Sequence, residues 1–289
     1  MSWVIIISAV YRDMQKKLLF QLIAVFVVTQ LLGIYVANVL IQNNVSIALP
    51  AGGKEDVGNS FFLFGYIIFF TLILLGVIKF AKGRLLYYVL KLFESLAIFT
   101  SSLIVFASVY DSVLVAIPSA AIVIARAIWQ ENLLLRNAAT VLAVSGVGAA
   151  IGVSLAPLPL LVFMLLLAAY DYIAVFKTKH MVTLAKAVSS KNLAFSYALP
   201  TKEHKFELGT GDLVMPLAFS AAILANAKAL YIFPFYLGMP ALILIASLLG
   251  LAITVNIASK QPGKALPALP LQVFLMAISY GGMILAGII

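Results

Sequence analysis

Long apolar runs recur nine times along this chain, and no other feature narrows so far what it can fold into. A helix crossing the hydrocarbon of a bilayer needs roughly 20 mostly apolar residues. Runs of that kind lie at about 18–41, 60–78, 85–110, 112–128, 138–156, 158–176, 209–227, 232–257 and 266–289. The fourth is short, and only Pro157 and Pro159 separate the fifth from the sixth. Charged residues make up 10% of the chain and hydrophobic residues 64%, where a soluble domain carries about a quarter charged. Soluble enzymes, nucleic-acid binders and secreted disulfide scaffolds are thereby excluded. The chain has no cysteine, so thiolate nucleophiles, iron–sulfur clusters and cysteine-zinc sites are excluded too. His180 and His204 are the two imidazoles.

The placement of the basic residues supports the count of nine. Arg12, Lys16 and Lys17 precede the first run, Lys79, Lys82 and Arg84 follow the second, and Arg126 and Arg136 follow the fourth. Lys177, Lys179, Lys186, Lys191, Lys202 and Lys205 follow the sixth, and Lys260 and Lys264 follow the eighth. Sixteen of the 19 basic residues thus fall on one side, whereas the opposite loops hold only Lys54 and Lys228. Cytoplasmic loops carry the excess of Lys and Arg, so the N-terminus is expected in the cytoplasm and the C-terminus outside. The first run is too long for a cleavable signal, and residues 1–10 are apolar as well.

The expected architecture is an all-α, multi-pass membrane protein forming a single domain over 1–289. Helices one to six occupy about 1–176, a cytoplasmic loop 177–208, and helices seven to nine 209–289. The centre of that loop mixes Leu, Ala, Phe and Tyr with Ser and Lys. It reads as a linker, an interfacial amphipathic piece, or a plug folding back toward the helices.

Most of the ten acidic residues need no special account. Glu94 stands three positions after Lys91, a spacing that lets the two pair on one helix face. Asp171 and Asp212 remain. A carboxylate in hydrocarbon costs about 2.5–3.5 kcal/mol on insertion scales, so an unpaired one marks function by default. Asp171 lies six residues before Lys177 and Asp212 seven after Lys205, which puts both roughly 9–10 Å inward at helical rise. Their helices are consecutive and antiparallel, and neither run contains Lys or Arg. Two carboxyls facing each other in a low dielectric share one proton. Such a pair can activate a water while protonating a carbonyl, with no metal or covalent intermediate. On charges alone, a proton or cation relay of a transporter explains the pair equally well, as does a buried structural pair.

The residues around the aspartates separate these readings. Asp171 lies in Ala-Ala-Tyr-Asp-Tyr, Asp212 closes Gly209-Thr210-Gly211-Asp212, and Pro267-Ala268-Leu269 stands ahead of the last helix. Together, in order and on the sixth, seventh and ninth runs, these resemble the YD, GxGD and PAL signatures of the presenilin and signal-peptide-peptidase family of intramembrane aspartyl proteases. The family usually has Leu where Thr210 stands. The resemblance implies a presenilin-like bundle, peptide-bond hydrolysis inside the membrane, and Asp171 and Asp212 as the catalytic pair. It implies no metal or other cofactor beyond a catalytic water, and transmembrane peptides or membrane proteins in the lipid bilayer as substrates. Self-association is compatible with it. Tyr170, Gly209, Thr210, Gly211, Pro267, Ala268 and Leu269 are the expected substrate-contacting residues. Gly209 and Gly211 remove side chains beside Asp212, and Pro267 and Pro270 keep the entry of the last helix irregular. Tyr170 reads as a pocket residue or as helix packing. Zinc and serine intramembrane proteases fit poorly, because both histidines lie in one loop. The rival from another class is a proton-coupled transporter, but no paired repeat halves are apparent.

Overall fold

The computed structural model describes residues 2–80, 84–177, 196–200, 205–226, 235–259 and 267–287. Nine α-helices occur among them: α1 (Ser2–Gln42), α2 (Gly58–Phe80), α3 (Arg84–Ala107), α4 (Ala116–Ile128), α5 (Leu133–Ser154), α6 (Pro157–Phe176), α7 (Gly211–Asn226), α8 (Phe235–Ser259) and α9 (Leu269–Leu285). Every expected apolar run falls on one of them, and the fold is the expected all-α multi-pass membrane bundle. Among the described residues, six helices are long and apolar enough to cross a membrane, and the described parts of α4, α7 and α9 are shorter.

Local chemistry sets the breaks. Before Pro157, Leu155 and Ala156 take extended geometry, because a following proline disfavours helical geometry in the residue before it. The fifth and sixth runs are therefore separate helices, as the two prolines implied. The start of α5 is capped by Asn132, whose side chain accepts the Leu135 N–H at 3.1 Å.

Helix α7 is the hub. Leu213 and most residues from Met215 to Leu224 are buried, and α1, α5, α6, α8 and α9 all pack on it. Missing side chains allow that crowding, as expected where helices associate without water. A Cβ at Gly152 of α5 would stand 2.3 Å from the Ala218 carbonyl oxygen, and one at Gly148 would stand 2.7 Å from Leu217.

The segment between α6 and α7 departs from every helical expectation. Ser196–Pro200 (β1) and Lys205–Gly209 (β2) form an antiparallel hairpin, with Ser196 opposite Gly209 and Ala198 opposite Glu207. Of the three readings of this segment, the one that folds back onto the helices holds for the hairpin, since β1 packs on α5 and α1. Tyr197, Leu199 and Leu208 are buried in one cluster with Leu18 and Leu22 of α1, Leu213 of α7, Leu251 of α8 and Ala268. His180, His204 and the loop before β1 lie outside the described residues.

Two charge readings also change. Arg126 and Arg136 count as loop anchors by sequence, yet each is 1% exposed. Arg126 pairs with Glu94 at 3.3 Å and donates to the Gln130 carbonyl at 2.7 Å. Arg136 pairs with Glu207 at 3.1 Å. Both cations are drawn in because carboxylate and carbonyl partners are already held there by the fold. Lys91 pairs with Glu94, as its spacing predicts.

Candidate active site

Asp171 lies in the last turns of α6 and Asp212 is the second residue of α7. The two helices pack together, and the Asp171 carboxyl is near enough to act electrostatically on that of Asp212. Both are partly buried. Among the described residues neither carboxylate has a salt bridge.

The stretch leading to Asp212 differs from the sequence expectation. The depth of Asp212 counted from Lys205 assumed helical rise, but residues 205–209 are strand, and a strand advances more than twice as far per residue as a helix. Gly209 ends β2 rather than opening a helix. Thr210 joins strand to helix, and its carbonyl accepts the N–H groups of Leu213 and Val214 at 3.1 and 2.9 Å. A Cβ at Gly209 would lie 3.4 Å from Asp212 Oδ2, whereas one at Gly211 would meet nothing within 4 Å. Glycine at 209 therefore leaves clear the space beside the Asp212 carboxylate that a side chain would enter, whereas a side chain at 211 would meet neither that carboxylate nor anything else nearby.

Pro216 stands one turn into α7 and has no N–H to offer the carbonyl of Asp212 four residues before it. The first turn is held from outside instead, since Gln30 of α1 donates its Nε2–H to the Leu213 carbonyl at 3.0 Å.

Pro267 and Ala268 precede α9, which starts at Leu269. Ala268 has helical dihedrals and Leu269, ahead of Pro270, is already in the helix, so the described entry is a proline-led helix start rather than the irregular one expected. Ala268 is buried against the cluster containing Leu213, the residue after Asp212. Leu269 is buried with Met215, Phe219 and Leu167. The motif before the last helix is thus brought to the first turn of α7.

Tyr170 points elsewhere. Its ring meets Phe64 of α2 edge to face at 6.2 Å between centroids, and its hydroxyl hydrogen-bonds Thr71. It joins α6 to α2, which is the packing alternative for this residue. Tyr172 lies against Phe176 of its own helix.

Sequence reasoning missed the residues that carry the hairpin. Arg136 Nη2 donates to Ser196 Oγ at 2.6 Å and to Glu207 Oε1 at 3.1 Å, and its Nε donates to the Ser196 carbonyl at 3.2 Å. Asn137 gives its side-chain N–H to the Ala198 carbonyl at 3.0 Å and accepts the Ala198 N–H at 2.9 Å. Thr29 and the Tyr197 hydroxyl share a bond of 3.1 Å. Burial pushes the Tyr197 phenol above the ordinary tyrosine range, more strongly than that bond lowers it. The available signal was two short segments of strand-like alternation around Thr201–His204.

Comparison with known proteins gives a consistent picture. The family model for signal-peptide peptidase, presenilin aspartyl protease matches residues 23–284. Two solved structures share the fold, each described as a presenilin family intramembrane aspartate protease, one in space group C222 and one in P2. The first is 22% identical with a TM-score of 0.61, covering 89% of this chain and 93% of that one. The second is 24% identical with a TM-score of 0.62, covering 90% and 96%. No curated protein matches the chain.

Proposed function

The chain belongs to the signal-peptide peptidase and presenilin aspartyl protease family, an intramembrane aspartyl protease, and we propose that Asp171 and Asp212 hydrolyse peptide bonds of transmembrane segments as an acid/base pair. The observation that carries this is the pair itself: two carboxyls on the packed helices α6 and α7, with no cation bridging either among the described residues.

The chemistry follows from one proton held between two such groups. The ionised carboxylate takes a proton from water as the water oxygen attacks the peptide carbonyl carbon. The protonated partner gives its proton to the carbonyl oxygen. On collapse of the tetrahedral intermediate, the carboxyl that took the water proton gives it to the amide nitrogen as the C–N bond breaks, while its partner takes a proton back from a hydroxyl of the intermediate as the new carboxyl forms, which returns the pair to its starting state. The step uses water alone and calls for no cofactor.

Water and substrate must both reach the pair. Helix α9 has 17 residues, short of the roughly 20 that a full crossing of the hydrocarbon requires, and it packs beside α7. Both start at the end that holds the aspartates, behind non-helical backbone. Such backbone is tolerated at depth where it is buried in protein or lines a wet cavity. This supports a recess open to water from the cytoplasmic side, between α6, α7 and α9.

A substrate helix must unwind before its peptide bond is exposed, and an extended segment binds by adding to a sheet edge. Asn137 occupies both outward backbone groups of Ala198, so the outer edge of β1 is covered. The far edge of β2, ending at Gly209 beside Asp212, is where a substrate strand would join. Thr210 and Gly211 follow on the same approach, with Pro267, Ala268 and Leu269 as its opposite wall. Tyr170 contributes by holding α2 against α6. With the N-terminus cytoplasmic, single-span proteins whose own N-terminus is outside fit the direction of entry.

The test is incubation of the purified protein in lipid vesicles with a single-span peptide, in the presence of a chelator and without ATP. Fragments cut within the span are expected. An intact peptide accompanied by proton or cation flux would overturn the reading in favour of a transporter.

A further inference from the structure

We propose that Arg136 and Asn137, in the first turn of α5, are positioning residues for Asp212, acting through the β1–β2 hairpin; this rests on Asp212 being one of the catalytic pair. Neither residue belongs to any motif around the aspartates, and both are far from Asp212 in sequence.

The connection is continuous and short. Arg136 is 1% exposed and its guanidinium binds three oxygens, the Ser196 carbonyl, Ser196 Oγ and Glu207 Oε1. Ser196 Oγ in turn donates to Glu207 Oε2 at 3.2 Å. One planar fork thus grips both strands, a geometry that an ammonium cannot reproduce. One residue on, Asn137 binds the Ala198 N–H and carbonyl as a further strand would. The strand pair is therefore fixed to α5 at both Ser196 and Ala198 of β1, and register does the rest. Ser196 lies opposite Gly209, Gly209 is the residue whose missing Cβ lies 3.4 Å from Asp212 Oδ2, and only Thr210 separates β2 from α7.

Such a brace has a reason to exist. A hairpin of two five-residue strands is marginal by itself, and the first turn of α7 has lost a backbone bond to Pro216. Slippage of the hairpin would carry Gly209 and Thr210 with it and re-aim the Asp212 carboxylate. Displacement of a catalytic group by about 1 Å costs as much as 10²-fold in rate. The charge of Arg136 is not directed at the carboxylates. It is neutralised by Glu207, so its effect on chemistry passes through backbone geometry.

The experiment uses the full chain in vesicles with Arg136→Lys, Arg136→Met and Asn137→Ala. It reads kcat and KM on a transmembrane peptide, the affinity of a hydroxyl-bearing transition-state mimic, and thermal stability on the same preparation. Arg136→Met and Asn137→Ala are expected to lower kcat by about tenfold, equivalent to about 1.4 kcal/mol. Mimic affinity should fall by a similar factor, KM should stay within about twofold, and Arg136→Lys should restore little. A variant retaining wild-type kcat and mimic affinity overturns the proposal, as does a loss that only tracks the folded fraction. If Arg136→Met does not fold, Asn137→Ala decides, because it leaves the buried ion pair intact. Asp212→Ala in the same assay separates the two levels: its retained activity would sink the aspartate reading, whereas wild-type rates in the Asn137 variant beside an inert Asp212→Ala would sink only the brace.

Discussion

Two pairs of buried or half-buried carboxylates in this bundle meet the same kind of physical cost in opposite ways. At the α3–α4 contact, Glu94 is 1% exposed and sits between Lys91 and Arg126. At the hairpin, Glu207 is gripped by Arg136. Each carboxylate there has a cation, and each cation has further oxygens. Asp171 and Asp212 have instead each other. An ion pair of the first kind ties elements together: Glu94 joins α3 to α4 through Arg126, and Glu207 joins β2 to α5 through Arg136. Two like groups close together disfavour double ionisation, and the proposed mechanism uses the single proton such a pair would share. Among the described residues no Lys or Arg pairs with Asp171 or Asp212, and that difference separates the proposed chemistry from scaffolding.

The sharpest way to break this contrast is to remove one carboxylate of each kind. Asp171→Asn or Asp212→Asn should reduce kcat by roughly 10³-fold, because an amide keeps the shape but cannot share the proton. Thermal stability should stay close to wild type, since the amide keeps the shape and neither aspartate has a salt bridge to lose among the described residues. Substantial cleavage by either variant in a vesicle assay would erase the distinction. Glu94→Gln should do the reverse. It leaves Arg126 and Lys91 without their carboxylate and should destabilise the fold by about 3–5 kcal/mol, read by thermal melting in detergent, while kcat per folded molecule stays unchanged. A lowered kcat at full stability would place Glu94 in the chemistry.

Two smaller effects sharpen the picture at the catalytic end. Pro267→Ala lets α9 start earlier and should lower cleavage by roughly 10- to 100-fold through displaced backbone, with unchanged stability. Normal cleavage and normal inhibitor binding would reduce Pro267-Ala268-Leu269 to a helix start. Gly211→Ala should have the smallest effect. The added methyl meets nothing within 4 Å, and helix propensity should raise stability by about 0.5–1 kcal/mol. The remaining consequence falls on the substrate, as a raised KM at similar kcat. An unchanged KM would show that substrate does not pass over Gly211.

The same contrast explains what could be read from the sequence. Nine apolar runs, the Lys91–Glu94 pair and the break before α6 follow from local rules of length, spacing and proline geometry, and they stand in the structure. The juxtaposition of Asp171 and Asp212 was legible because consecutive antiparallel helices return to the same end of a bundle. The hairpin was not legible, because five-residue strands give little periodicity and their stability comes from Arg136 and Asn137, some 60 residues earlier in the chain. Counting Arg126 and Arg136 as loop charges failed for a related reason. The positive-inside rule counts charges near helix ends but does not register whether a carboxylate partner draws the side chain inward. Tyr170 shows a further limit, since adjacency to Asp171 does not fix which way a ring points, and Phe64 and Thr71 of α2 decided it.

The central claim is that Asp171 and Asp212 deliver water directly to the peptide carbonyl. It is tested most directly by a single turnover in ¹⁸O-labelled water with enzyme in excess over a single-span peptide, followed by mass spectrometry of product and enzyme. The account predicts one ¹⁸O in the new carboxyl terminus of the product and none in the peptides containing Asp171 or Asp212. Label in either aspartate, with an unlabelled product terminus, would mean a covalent intermediate on that residue and would contradict the account.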